Sequence, residues 1–66
     1  MRHLRELIND APRVLAPGGL LALECGEEHV GPLAEMARAM EWSRDVLPLR
    51  DLANRPRGVL IVRHGG

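Results

Sequence analysis

Residues 16–29 read APGGLLALECGEEH, and this stretch decides the fold. It opens with a proline and two glycines, which end a helix and turn the chain. The apolar residues 20–23 follow without polar alternation, and such a run is typical of a strand that is buried on both faces. Leucine and alanine also allow a short helix, but the flanking glycines favour the strand. Glu24, Cys25 and the acidic segment 27–29 come next, so the same stretch also raises the question of a reactive site.

On either side of this stretch, hydrophobic spacing predicts the order helix, strand, helix, strand, strand. The first helix carries apolar residues at helical spacing up to Leu15, and we expect a kink or a shift in its last turn because Pro12 cannot donate to the carbonyl of Ile8. The remaining segments are predicted as a strand at 19–25, a helix at about 29–41, a strand at about 44–50 and a strand at 58–63.

Two further prolines refine this prediction. Pro32 suits the first turn of the second helix, and Glu27 and Glu28 lie near the positive end of its dipole. Pro48 interrupts the second strand, which indicates an edge position or a bulge.

The connections predict the topology. The first two strands are joined by a helix and should be parallel, whereas the last two are joined by a short polar loop and should be antiparallel. A buried central strand needs helices on both faces and strands on both sides, and this chain supplies too few of them. We therefore interpret residues 1–66 as a single partial domain of an α/β fold.

Composition limits the classes of function. Nine basic residues, all arginine, balance nine acidic ones, which argues against nucleic-acid binding by phosphate neutralisation. Trp42 is the only aromatic residue, so no stacking platform for bases is present. No apolar run approaches a membrane span, and we expect a cytoplasmic chain. A core of this size is marginal and Cys25 has no disulfide partner, so we expect self-association or a missing N-terminal part as partner.

The candidate reactive residues each have a simpler interpretation. Cys25 and His29 suggest a nucleophile with its base, or two metal ligands, but no third group is implied. The simpler interpretation is a small buried residue at a strand end and a solvated histidine at a helix start. Glu24 follows a strand directly and could orient a substrate. Alternatively, its carboxylate accepts backbone N–H bonds or pairs with an arginine. Pro17-Gly18-Gly19 precedes the strand, so it is a turn and not a phosphate loop.

Several motifs resemble the end of class I S-adenosylmethionine-dependent methyltransferases. The helix ending in APRVLAPGG and the following LLALECG resemble the segment that leads into and along their fifth strand. Leu-Glu-Cys-Gly at 23–26 is similar to the Leu-Glu-x-Gly of the release-factor glutamine N5-methyltransferases. Residues 50–57 resemble that family's Arg-Asp-Leu-Ala-Gly-Arg-x-Arg connection, with Asn54 and Pro56 as departures. Asn54 is a mild change because asparagine tolerates positive φ.

The resemblance implies a fold and a function. It covers nearly the whole chain but only about the last quarter of such an enzyme, a Rossmann-like fold whose last strand inserts antiparallel between the other two. The intact family transfers a methyl group from S-adenosylmethionine to a release-factor glutamine. No position matches the family's glycine-rich cofactor loop, its ribose-binding acid or its Asn-Pro-Pro-Tyr motif. The resemblance therefore supplies no catalytic, cofactor-binding or metal-binding residue, and we expect the chain alone to be inactive. The alternatives are a small non-enzymatic interaction module and a fragment of another class I methyltransferase.

Overall fold

A computed structural model describes residues 2–65 and has the predicted order of elements. Within that range, two helices and three strands make up a small α/β fold. Their bounds are Arg2–Val14 for α1, Leu20–Glu24 for β1, Glu27–Arg38 for α2, Ser43–Arg50 for β2 and Pro56–Arg63 for β3.

The last strand lies in the middle of the sheet, as the resemblance implies. The strand order is β1-β3-β2, and β3 runs antiparallel to both neighbours. It follows that β1 and β2 run parallel to each other, as predicted, but they are separated by β3. The sheet therefore becomes continuous only through the last strand of the chain.

Both helices contribute to a core on one face of the sheet. α2 supplies Leu33, Ala34 and Ala37, and Ile8 of α1 belongs to the same cluster. The strands complete this cluster with Leu23, Val59 and Ile61. Alternate strand residues point to the same face, so this set marks the face that we call the helix face.

Some predicted boundaries need correction. α2 begins at Glu27 instead of about residue 29, which places Glu27 and Glu28 within its first turn and Pro32 in its second. The helix also ends at Arg38, before Met40, although Met40 still packs against the core. β3 begins at Pro56, two residues earlier than predicted, because its pairing with β2 extends to Arg50.

The prediction that β1 is buried on both faces is wrong. Leu23 is buried, with 5% of its surface exposed, but Leu20 is 58% exposed and Ala22 is also exposed. The physical reason is that the core cluster to which α1 and α2 contribute lies on the helix face, whereas Leu20 and Ala22 point to the other face and stay exposed. The strand is therefore buried on one face only, although it carries apolar residues on both faces.

Pro12 is accommodated within α1 through a distant tryptophan. The helix continues past Pro12 to Val14, but proline has no N–H for the carbonyl of Ile8. The indole Nε1 of Trp42 donates to that carbonyl at 3.2 Å. Trp42 thus replaces the helical hydrogen bond that Pro12 removes, and it ties α1 to the segment between α2 and β2.

We predict that the Trp42 hydrogen bond matters only because of Pro12. Trp42→Phe should lower the free energy of unfolding by about 1–2 kcal/mol, because it leaves a helix carbonyl unpaired. In a Pro12→Ala background, Trp42→Phe should lower the free energy of unfolding less than it does in the parent, by about 0.5 kcal/mol or more. The reason is that alanine at position 12 restores the helical N–H donor for the Ile8 carbonyl. Urea unfolding of the four proteins measures both costs. Equal costs in the two backgrounds would contradict the assignment.

Gly58 permits the closest approach between β1 and β3. A Cβ atom built at this position would lie 2.0 Å from the carbonyl oxygen of Leu23 and 3.0 Å from the Cα atom of Glu24. Both contacts are with backbone, which cannot rotate away as a side chain can. Any other residue at position 58 would push β1 from β3.

We predict that Gly58→Ala destabilises the chain by about 3 kcal/mol through this overlap. The matched control is Gly31→Ala in α2, where a Cβ would meet nothing within 4 Å. That change should stabilise the chain by about 0.5–1 kcal/mol through helix propensity. Thermal unfolding of both variants measures the difference. A Gly58→Ala protein as stable as the parent would show that β1 does not approach β3 so closely.

Candidate functional site

The carboxyl ends of β1 and β2 lie together at one end of the sheet. Glu24 of β1 and Leu49 of β2 both stand opposite Gly58, near the start of β3. Ligands of open α/β sheets bind outside the carboxyl ends of strands, so this end is where a site is expected. Two segments form it: the β1–α2 turn and the β2–β3 loop, and the N–H of Cys25 donates to the carbonyl of Arg57 at 2.9 Å.

The β1–α2 turn does not assemble a nucleophile with its base. His29 Nε2 lies 3.5 Å from Glu28 Oε1, and within residues 2–65 no hydrogen bond joins His29 to Cys25. Burial raises the pKa of the Cys25 thiol, and the nearby Glu28 carboxylate raises it further. A thiol with a raised pKa stays protonated at neutral pH and is a poor nucleophile. The simpler interpretation of both residues agrees with this arrangement.

The acidic residues of this turn do not converge on a common point. Among the described residues, no group of three histidine, cysteine, aspartate or glutamate side chains could hold a metal ion. Glu27 and Glu28 lie in the first turn of α2, where their charge interacts favourably with the helix dipole. A structural role at the helix start accounts for them.

Glu24 lies at the end of β1 with its side chain exposed to solvent. Neither structural interpretation of its carboxylate is observed among the side chains described at positions 3–65: it accepts no backbone N–H bond there and pairs with no arginine of that range. Its role as a substrate-orienting group stays a prediction.

The β2–β3 loop is organised by one carboxylate. Asp51 Oδ1 accepts hydrogen bonds from the backbone N–H groups of Ala53 and Arg55, each at 2.9 Å. Its Oδ2 accepts from Arg57 Nε, also at 2.9 Å. Hydrogen bonds from Arg55, then from Arg57, lower the pKa of the Asp51 carboxyl. The hydrogen bonds of this loop therefore favour the ionised form of Asp51.

Asn54 completes this loop in the left-handed region, with φ of 63°. The expectation that asparagine tolerates a positive φ at this position is therefore confirmed. Its carbonyl accepts from Arg50 Nη1 at 3.1 Å, which closes the loop at its base. Sequence reasoning identified the loop residues but not the central role of Asp51, although aspartate in a turn often accepts from the backbone N–H two residues on, as Asp51 does from Ala53.

The free edge of β1 is the second feature of interest. Gly19 accepts from the N–H of Arg63 and Cys25 donates to Arg57, both at 2.9 Å. Because bonded and non-bonded pairs alternate along an antiparallel ladder, the odd-numbered residues of β1 bond to β3. The even-numbered residues direct their N–H and C=O groups outward, and these are Leu20, Ala22 and Glu24.

The outer edge of β2 is different. Since β3 uses its odd-numbered residues for β1, it bonds β2 through even-numbered ones, and Pro48 then faces outward. Proline has no N–H to offer to a further strand, and charged Arg44 and Arg50 flank it on the same strand. The edge position predicted from Pro48 is confirmed. The β2 edge is protected against further pairing, whereas the β1 edge is not.

The side chains of the β1 edge belong to an uncovered apolar surface. Residues that stand opposite one another on neighbouring strands point to the same face of the sheet. We call the face that lies opposite the helix face the open face. None of its apolar members belongs to the core cluster, and Leu20 and Leu47 are 58% and 49% exposed. Val62 alone is buried. The apolar members of the open face are Leu20, Ala22, Leu47, Leu49, Leu60 and Val62.

No enclosed cavity forms among the described residues. In the same part of the chain, no helix is both long and apolar enough to cross a membrane. The chain matches no protein-family model, and no curated protein or solved structure is significantly similar to it. The free edge, the open face and the loop therefore carry the functional interpretation.

We predict that Asp51 stabilises the chain in its ionised form only. The pKa of this carboxyl is lowered in the folded chain, so its contribution is complete above the unfolded value of about 3.9. It is lost as pH falls from there through the lower folded pKa. Asp51→Asn should reduce the urea midpoint at pH 7, and the difference from the parent should shrink below about pH 4.

The control for this experiment is Asp10→Asn. Asp10 makes an exposed surface pair with Arg13 at 3.4 Å, and such pairs contribute little to stability. Its urea midpoint at pH 7 should match that of the parent. A gap between Asp51→Asn and the parent that stays constant from pH 7 to pH 2 would refute the role of the charge.

Proposed function

We propose that this chain is the C-terminal segment of a release-factor glutamine N5-methyltransferase-like protein, with a Rossmann-like sheet of which residues 1–66 form a partial domain. The observation that carries the proposal is the combination of strand order and edges. An antiparallel strand lies between two parallel ones, the β2 edge is protected and the β1 edge is open. In this proposal the sheet ends at β2 and continues beyond β1.

The β2–β3 loop supports the same parentage. The family connection has glycine where this chain has Asn54, and Asn54 adopts a left-handed φ of 63° that glycine also adopts readily. The aspartate of the Arg-Asp-Leu-Ala sequence organises the loop by accepting from two backbone N–H groups and Arg57. Asp51 and Asn54 thus each have a structural role at the position that the resemblance gives them.

The proposed role of the segment is structural. The intact family methylates a glutamine of a peptide-chain release factor with S-adenosylmethionine, which supplies the methyl group. The described residues line no cavity into which this cofactor fits, and no position matches the family's cofactor or substrate motifs. We therefore assign no step of methyl transfer to this chain, and propose that alone it neither binds the cofactor nor catalyses. We also propose a cytoplasmic location.

The proposed partner at the β1 edge is the N-terminal part of the parent enzyme, or a second copy of the chain when that part is absent. Three residues of β1 offer unpaired N–H and C=O groups, and such an edge pairs readily with another strand. The same edge favours a second candidate function, a small interaction module that binds a peptide by strand addition.

The first test is a chimera. Residues 1–66 replace the corresponding C-terminal segment of a release-factor glutamine methyltransferase, and methyl transfer from labelled S-adenosylmethionine to release factor is measured. We expect the chimera to be active and the enzyme without this segment to be inactive. A folded but inactive chimera would contradict the parentage and favour the interaction module.

The control for the chimera is Ala22→Pro. The N–H of Ala22 faces the free edge, so proline removes a donor for the next strand without removing one from the β1–β3 ladder. This variant should reduce the chimera's activity at least about tenfold. Leu52→Pro lies in the β2–β3 loop, away from the β1 edge, and should not weaken pairing at that edge.

In the isolated chain, sedimentation should show self-association that Ala22→Pro abolishes. An isolated parent chain that is monomeric and folds cooperatively would contradict the open edge.

A further inference from the structure

We infer that the tip of the β2–β3 loop is a docking element for an acidic protein segment that carries apolar side chains. The inference goes beyond the proposed function, since it needs only the loop and not the rest of a methyltransferase. Its basis is an exposed leucine in a loop that hydrogen bonds to Asp51 organise, with one arginine in the loop and one on each adjoining strand end.

Leu52 is the most exposed large apolar residue in the described chain. Its relative exposure is 109%, compared with 81% for Val14, and no neighbouring group shields it. A single exposed leucine is ordinary on a mobile tail, but this one is displayed by an ordered turn. Asp51 accepts two backbone N–H bonds around it, so a partner that covers Leu52 pays little ordering entropy in the loop.

The charges around Leu52 select the partner. Arg55 lies in the loop, while Arg50 ends β2 and Arg57 lies near the start of β3, and Asp51 is the only acidic residue between positions 50 and 57. Asp51 pairs with Arg57, which leaves a net positive tip. Arg55 is exposed, and within residues 2–65 its side chain forms no ion pair, so it is free to bind a carboxylate.

Protein is favoured over nucleic acid by what surrounds the tip. The loop has no aromatic side chain on which a base would stack. A short acidic segment of a protein can place its carboxylates against the arginines and its apolar groups against Leu52.

The experiment titrates the isotope-labelled chain with a short synthetic peptide that has leucines on one face of a helix and glutamates on the other. Backbone amide shifts should change at residues 50–57. Leu52→Ser and Arg55→Glu should each weaken binding by about tenfold, which corresponds to about 1.4 kcal/mol. The matched controls, Leu20→Ser on the open face and Arg5→Glu on α1, should leave the affinity unchanged.

Four outcomes would overturn the inference. The first is no shift at millimolar peptide, and the second is a set of shifts confined to the open face. The third is that a uridine oligonucleotide binds at residues 50–57 more tightly than the acidic peptide does, which would make nucleic acid the ligand of the tip instead. A peptide with lysines in place of the glutamates tests the charge, and binding of that peptide with equal affinity would also contradict the proposal.

Discussion

The position of β3 between β1 and β2 is the constraint on which the rest of the structure depends. Neither outer strand pairs with the other, so β1 joins the sheet only through β3. Gly58 allows the backbone of Leu23 to come close, and Val59 and Ile61 fill the centre of the helix face. The last strand in sequence thus completes both the ladder and the core, and most long-range pairing must wait for it.

Much of the fold follows from local sequence patterns, and the differences have physical causes. The order of elements can be predicted from the sequence because it depends on hydrophobic spacing. The edge position of β2 can be predicted because Pro48 lacks an N–H. The partner of the Ile8 carbonyl is not readable, because Trp42 lies 34 positions away from it. Burial of β1 is misjudged for a different reason. The composition of residues 20–23 suits two covered faces, whereas the described chain covers one.

The candidate site shows the same division between local and non-local information. Reactive side chains around Cys25 are conspicuous in the sequence, yet His29 turns toward Glu28 and burial keeps the thiol protonated. By contrast, the backbone groups of the β1 edge are invisible in the sequence, because which ones are unpaired depends on the register with β3. The features on which the proposals rest are an edge, a face and a loop, and each depends on the fold and not on a short motif.

The edge and the open face share residues, and this favours a longer α/β sheet over a module that binds one peptide. Leu20 and Ala22 supply both unpaired backbone groups and exposed side chains. An added strand would satisfy the backbone but leave Leu47 and Leu60 uncovered. A helix alone would cover the face but leave the N–H and C=O groups free. Only a strand followed by a helix satisfies both, and that unit is the building block of α/β sheets.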